Sequence, residues 1–285
     1  MPAPTEATID TTDKVNPKSL VLSLAKGFKV LESFSAYCPE QTQSEVARKT
    51  GLDNATVFRI LNTLVDLGYV RKVENSRLYR LTMKPLDLGF SAIARTDLRG
   101  LAQPELRQLV GSVREVANLG VLDGADVVFI ERLQVAGLRL SVDIHIGSRI
   151  PASCTAIGHA ILAFRPDQEV ERSLADYEQS KANLPSPMSL PQIRQKLADT
   201  RVNGYALADS TFIAGLRILA APILGSDGNA VAAISVAAPA IRMPLTEFVR
   251  LTADPVIQAA ARITVGLRAS RTMVSLSPND VASQG

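Results

Sequence analysis

The chain has 285 residues, enough for two domains with a core each, and its 31 Lys and Arg against 28 Asp and Glu leave a net charge of only +3. It has no apolar run long enough to span a membrane, and the polar stretch Met1–Asn16 lacks the apolar segment of a secretion signal, so a cytoplasmic protein with no membrane partner is expected. Cys38 and Cys154 are too few for a disulfide framework and have no metal-ligand spacing, while the absence of Trp argues against stacking platforms for single-stranded nucleic acid.

Residues 1–17 and 273–285 are polar and rich in Ser, Thr, Pro or Gly and are expected to be disordered tails. Between 18 and 82 the pattern is that of a winged helix-turn-helix. Thr42-Gln43-Ser44-Glu45 forms a capping box that opens a short helix, which Gly51 can end in the left-handed conformation. Asp53 caps a second helix whose Val57, Ile60, Leu61, Leu64 and Leu67 share one face. Tyr69–Val73 and Leu78–Leu81 read as strands around the polar turn Glu74-Asn75-Ser76-Arg77, the wing. Helix, tight turn, helix and hairpin place the second helix in a DNA major groove.

If the apolar stripe faces the core, Asn54, Ala55, Thr56, Arg59 and Asn62 face outward. These are residue types that contact base edges or phosphates. Thr42 and Ser44 at the start of the first helix join this DNA-facing set. Arg71, Lys72, Arg77 and Arg80 on the hairpin are candidate phosphate contacts that set salt dependence more than sequence preference. Ten Lys and Arg against six acids give +4 from Lys18 to Arg80, within a chain that totals +3, so positive charge is concentrated where phosphates would be met.

Residues 83–99 are expected to form a linker helix, with a break near Gly100 and Pro104 before the second domain, 100–272. There Asn118–Leu122 and Val127–Leu133 flank the turn Asp123-Gly124-Ala125-Asp126, and Leu138–Ile146 alternates like a further strand. A helix is expected to start near Cys154 and another at the capping box Ser189-Leu190-Pro191-Gln192. Ile218–Leu224 and Ala230–Val236 form a last hairpin, followed by an Ala-rich helical stretch that Pro255 should interrupt. The fold class is therefore α+β with a central antiparallel sheet.

Several runs resemble transcriptional regulators of the IclR family, and their order covers residues 18–270. The N-terminal ones are Ser23–Leu31, Glu45-Val46-Ala47, Gly51-Leu52 with Thr56–Leu61, and Leu67-Gly68-Tyr69-Val70. The C-terminal ones are Gly147–Pro151 leading into Cys154–Ala163, Gly204-Tyr205-Ala206, Gly215-Leu216-Arg217 with Ala220-Ala221-Pro222, and Ala233–Val236. The resemblance implies a DNA-binding domain, a linker helix and a GAF-like effector-binding domain. It implies a dimer or tetramer that binds double-stranded operator DNA and answers to a small, often anionic, metabolite, with no cofactor and no metal. Ile146–Pro151 and Gly215-Leu216-Arg217 are most similar to regulators of aromatic-acid breakdown by the β-ketoadipate route.

Physically, Ser153-Cys154-Thr155-Ala156 opens a helix whose free amides suit a carboxylate, and small side chains allow close approach; an ordinary N-cap is the plainer account. The resemblance tips this towards an effector site formed by Cys154, Thr155, Ala156 and Ile157, faced by Asp209, Ile218 and Ser235. Relative to the family pattern, Ala208 and Thr211 stand where carboxylates are common and Ala237 where a second polar residue follows Ser235. These departures favour an aromatic or aliphatic effector over a very small polar acid. Two alternatives stay beside this. Cys154, His159 and Asp209 are the residue types of a nucleophile, base and orienter, but Cys154 and His159 diverge on one helix and no Walker loop or dinucleotide glycine pattern accompanies them. The other alternative is a redox switch at Cys154, whose place near a helix N-terminus would lower its pKa. His145, placed in a strand, is expected to be structural.

Overall fold

A computed structural model describes residues 20–35, 37–93, 98–135, 144–184 and 186–275. The expected tails lie outside these residues, apart from 273–275, and so does the expected strand 138–146 up to residue 143. Contacts divide the chain into two compact units, Met1–Arg95 and Thr96–Gly285.

In the first unit, helices α1 (Leu22–Glu32), α2 (Gln43–Thr50) and α3 (Asn54–Asp66) pack with a small antiparallel sheet. Its strands β1 (Glu40–Thr42), β2 (Val70–Lys72) and β3 (Leu78–Leu81) lie in the order β1-β3-β2, and α4 (Pro85–Ile93) follows. The local signals do what their chemistry requires. The Thr42 N–H donates to Glu45 Oε2 at 2.7 Å while Thr42 Oγ1 accepts the Glu45 N–H, and Gly51 ends α2 at φ +67°. Asp53 Oδ1 accepts the Thr56 N–H at 2.8 Å and starts α3. Val30, Val46, Val57, Leu61, Leu64 and Tyr79 form the centre of the core. Leu67 departs from the expected stripe: α3 ends at Asp66, the core stops at Leu64, and Leu67 is exposed as the C-cap before Gly68 turns the chain at φ +77°.

The second unit is a six-stranded antiparallel sheet between helices. Helix α5 (Leu98–Val113) leads into β4 (Val116–Asp123), β5 (Asp126–Leu133) and β6 (Arg149–Pro151). A 3-10 turn (Ala152–Cys154) precedes α6 (Ala156–Leu162), α7 (Asp167–Ser180) and α8 (Leu190–Asn203). Strands β7 (Ala206–Asp209), β8 (Leu216–Leu224) and β9 (Ala230–Pro239) complete the sheet in the order β6-β5-β4-β9-β8-β7, and α9 (Leu245–Ser275) ends it. The period of two sorts each strand between two cores. Leu219, Ile234 and Val236 meet α5 and α9 on one face, whereas Val127, Phe129, Ala220 and Ala233 meet α6 on the other.

Three expectations about helices are corrected. Helix α5 runs through Gly100 and Pro104, and α9 runs through Pro255 to Ser275, inside the expected tail. Each proline removes one N–H whose acceptor would be four residues earlier, at Gly100 and Leu251. Both of those residues are exposed, so water can take the carbonyl. The cost of a helical proline, about 3 kcal/mol, is then offset by buried side chains on both sides of it. On α9 these are Phe248, Val256, Ala259, Ile263 and Leu267, with full burial of a large side chain contributing about 1.5–3 kcal/mol. Helix α7 was not anticipated, although Val170, Ser173, Leu174 and Tyr177 bury at helical spacing. His145 lies outside any strand, in a turn where its N–H donates to Ser148 Oγ at 2.9 Å.

Helix α6 sits unusually close to its surroundings. A Cβ at Gly158 would lie 2.0 Å from the Ala152 carbonyl oxygen, and one at Gly120 on β4 would lie 2.6 Å from Val127 Cγ1 and 2.9 Å from Ile157 Cδ1. Gly158→Ala is therefore expected to destabilise the protein by about 3 kcal/mol or more. Gly111→Ala, on α5 with open space around it, should stabilise by about 0.5–1 kcal/mol. Urea denaturation of both variants checks this; equal midpoints would remove the close-packing argument.

Candidate functional site

The DNA-facing candidates fall on one small unit. On α3, Asn54, Ala55, Arg59 and Asn62 are exposed and Thr56 is half-buried. Hydrogen bonds from Thr56, its hydroxyl first and its amide second, hold the Asp53 carboxyl below its ordinary value, so part of Thr56 is engaged in capping. Ser44 is exposed, but Thr42 is half-buried and its hydroxyl serves the capping box, donating to Glu45 Oε2 at 2.8 Å. On the hairpin, Arg71, Lys72 and Arg77 are exposed. Arg80 is half-buried and its Nη1 lies 3.2 Å from Glu40 Oε1, so its charge is partly neutralised within the unit. Asn75 takes φ +55° at the wing tip, and Ser76 Oγ accepts the Leu78 N–H at 3.1 Å to close the turn.

Two features of this face were not anticipated. Gln43 Nε2 donates to the Asn54 carbonyl at 2.8 Å and ties the start of α2 to the start of α3. Phe58 is exposed one residue before Arg59. Its position off the apolar stripe is the signal that would have found it, since the Val57–Leu61–Leu64 face leaves it outward.

The effector candidates converge beside α6. One cleft is lined by Asn118, Phe129, Arg132, Thr155, Ile157 and Ser235 together with apolar residues that include Ile218 and Ala237. A second, sharing Thr155, Ile213, Leu216 and Ile218 with the first, adds Cys154, Ala156, Ala208, Thr211 and Phe212. Six of the seven expected residues thus meet: Cys154, Thr155, Ala156, Ile157, Ile218 and Ser235. The seventh, Asp209, lines neither cleft. It pairs across β7 and β8 with Arg217, whose Nε donates to Asp209 Oδ1 at 2.9 Å and whose Nη1 also bonds the carbonyls of Ala240 and Met243. Asn118 and Arg132 were missed, because nothing local in β4 or β5 marks them.

The helix start differs from expectation in a way that matters for anion binding. Ser153 and Cys154 belong to the 3-10 turn, and α6 begins only at Ala156 and has seven residues. Thr155 is its N-cap, accepting the Gly158 N–H at 3.0 Å, so the hydroxyl already serves one of the free amides. The space inside the first cleft is about 20 Å³, room for a water molecule rather than a metabolite.

Neither alternative chemistry is set up here. Burial pushes the Cys154 thiol up to about 12, opposite to the lowered pKa that a redox switch needs, with a hydrogen bond from Tyr177 only partly countering it. Both cysteines are free thiols. His159 lies within the protein with Nε2 2.8 Å from the Ser153 carbonyl oxygen, which makes Nε2 the protonated nitrogen. Burial lowers its pKa to about 4, partly countered by the Ser153 carbonyl and assisted by Lys196.

That depressed value couples stability to pH. As pH falls below 6.5 the unfolded chain takes up the His159 proton while the folded chain does not, so stability is lost from about pH 6.5 down to about 4. The loss should approach about 3 kcal/mol, at 1.36 kcal/mol per pKa unit. In denaturant titrations at pH 7.5 and pH 5, His159→Gln should lose less on acidification than the wild type. Parallel losses would assign the acid sensitivity to other groups.

Comparison with known proteins finds both units in one family. Residues 23–74 match the IclR helix-turn-helix domain and residues 90–265 match the bacterial transcriptional regulator IclR C-terminal domain. The chain is similar to the Pca regulon regulatory protein of Pseudomonas putida, 32% identical over 84% of this chain and 81% of that protein. It is also similar to the transcriptional repressor IclR of Escherichia coli (strain K12), 31% identical over 86% of this chain and 89% of that one. The crystal structure of an IclR homolog complexed with 4-hydroxybenzoate from Microbacterium hydrocarbonoxydans shares the fold with TM-score 0.72 at 27% identity, covering 87% of this chain and 99% of that chain. A DNA-reading winged helix joined to a ligand-binding α+β unit, matched over most of its length, makes this chain a member of the IclR family of transcriptional regulators.

Proposed function

We propose that the protein reads a roughly palindromic operator through paired α3 helices and is controlled by an organic acid with an apolar, aromatic body. The observation that carries the effector reading is the cleft itself, in which Thr155 and Ser235 are set among Phe129, Ile157, Ile218 and Ala237. An aromatic acid is held by one relative, the IclR homolog complexed with 4-hydroxybenzoate, and another relative is named for the Pca regulon. Ala208 and Thr211 line the adjoining cleft where acids would have made it more polar.

On DNA, Asn54, Ala55, Thr56, Arg59 and Asn62 contact base edges or phosphates, while Arg71, Lys72 and Arg77 contact phosphates. Pairing of the reading heads requires self-association. Exposed apolar residues of the first unit away from the reading face, among them Leu24, Phe28, Leu67 and Leu88, support it. Light scattering should give at least twice the 30.5 kDa of one chain; a monomer mass would remove the paired reading.

The test of function is titration of the full chain against its own upstream intergenic DNA, with and without 4-hydroxybenzoate and protocatechuate. Specific binding that shifts with one of these acids is the expected result. Specific binding that answers only to glyoxylate-sized acids would discard the aromatic class, and no preference over random DNA would remove the operator. Within the same assay, Arg59→Ala should lose about 1–3 kcal/mol on the operator and relax its preference, whereas Arg77→Ala should weaken all DNA alike and reduce the salt slope by about 1. Equal losses on both DNAs for both variants would contradict this division.

A further inference from the structure

Resting on the reading of α3 as the helix that enters DNA, we propose that Phe58 is a specificity residue whose ring takes the methyl group of one thymine in each half-site. Helical spacing sets the ring on the reading face. Phe58 lies four residues after Asn54 and four before Asn62, so the three share one row of α3, with Ala55 and Arg59 beside it. All five are exposed, Phe58 at 48%. The core takes Val57, Leu61 and Leu64 from this helix and leaves the ring out. The groove between α1 and α3 borders Thr56, Ile60 and Thr63, which a turn of 100° per residue puts on the opposite side of the helix from Phe58. The first turn of α3 is held from two directions. Asp53 Oδ1 accepts the Thr56 N–H at 2.8 Å, and Gln43 Nε2 donates to the Asn54 carbonyl at 2.8 Å. The row therefore starts from a fixed backbone.

The chemistry of the row points to one base. An exposed ring gains by leaving water whatever covers it, and its neighbours decide the cover. Asn54, Arg59 and Asn62 flank the ring, and burying these groups under an apolar protein surface leaves them unpaired at a cost. A major groove pairs them, because base edges there carry donors and acceptors that suit Asn and Arg. Of the groups that base pairs present in that groove, the thymine methyl alone is apolar, and Phe is among the side chains that meet it. Cytosine in the same place turns a hydrogen-bond donor towards a ring that cannot accept it well, which adds a penalty against the wrong base. The other large exposed apolar residues of this unit, Leu24, Phe28, Leu67 and Leu88 among them, lie off the row.

The test uses duplexes selected from a random pool by the full-length protein, then remade with deoxyuridine in place of each thymidine in turn, which removes only the methyl group. One thymine per half-site should be sensitive. Its replacement should weaken wild-type binding by about fourfold per half-site, as exposure of one methyl group does, and should leave binding by Phe58→Ala unchanged. In its own selection Phe58→Ala should lose the preference for thymine at that position and keep the rest of the sequence, with a thermal midpoint close to wild type. Absence of any sensitive thymine, or equal losses in wild type and variant, would overturn the role of Phe58. If Arg59→Ala alters the selected sequence while Phe58→Ala does not, the α3 reading stands and the part assigned to Phe58 falls. If neither alters it, or if no sequence is enriched, the α3 reading fails and this inference with it. Should the Ala variant not fold, Phe58→Gln decides by the same substitution: insensitivity to deoxyuridine supports the contact, and the wild-type loss overturns it.

Discussion

The α6 face of the second unit depends on one steric constraint, the contact of α6 with the 3-10 turn before it and with the sheet beneath it. Gly158 packs so tightly on the Ala152 carbonyl that a methyl group has no room, and Gly120 lets Ile157 descend onto β4. From that seating follow the burial of His159 against the Ser153 carbonyl and the turn of Thr155 into its capping bond. The cleft is the space left beside Ile157 once the helix is down. A helix raised by even one methyl group would separate Thr155 and Ile157 from the strands that carry Asn118, Ser235 and Ile218.

Legibility in the sequence follows the range of the interactions. The first unit is written in contacts three or four residues apart: Thr42 with Glu45, Asp53 with Thr56, and Gly51 at a positive φ. Each has a local signature, and the helices and wing can be placed from it. Leu67 fails because a stripe on a helical wheel does not reveal where the helix stops. In the second unit, the local propensity of Pro104 and Pro255 to break a helix is not decisive, because burial over several turns outweighs one missing hydrogen bond.

The cleft shows the opposite limit. Cys154, Thr155, Ala156 and Ile157 are consecutive and were found together, and Ile218 and Ser235 came with the family pattern. Arg132 and Asn118 owe their place to strand pairing, and the Asn118–Ser235 bond joins residues 117 positions apart. No spacing rule reaches that far. Asp209 illustrates the same limit from the other side: its residue type suits a ligand site, but the register of β7 with β8 sets it beside Arg217, where the pair staples the sheet to the segment before α9.

The narrowness of the cleft bears on how a ligand can act as a signal. A ligand that fits an open cavity equally well in every state of a protein shifts nothing, however tightly it binds. Here about 20 Å³ is available, so on the proposed reading an organic acid would enter by parting the walls. The α6 wall is held by the backbone contact at Gly158, and the strand wall by the ladders of β4, β8 and β9. The third wall is the irregular segment between β7 and β8, which carries Thr211, Phe212 and Ile213 into the clefts and is bounded by Ser210 at φ +52° and Gly215 at φ +74°. Among the described residues it belongs to no strand, and local opening costs least where ladder bonds are few. Its far end leads through Leu216 and Arg217 to the carbonyls of Ala240 and Met243, just ahead of α9. A displacement of this wall is therefore coupled through Arg217 to the segment that begins the longest helix of the unit. This gives the two states different contacts, which any effector control of DNA binding requires.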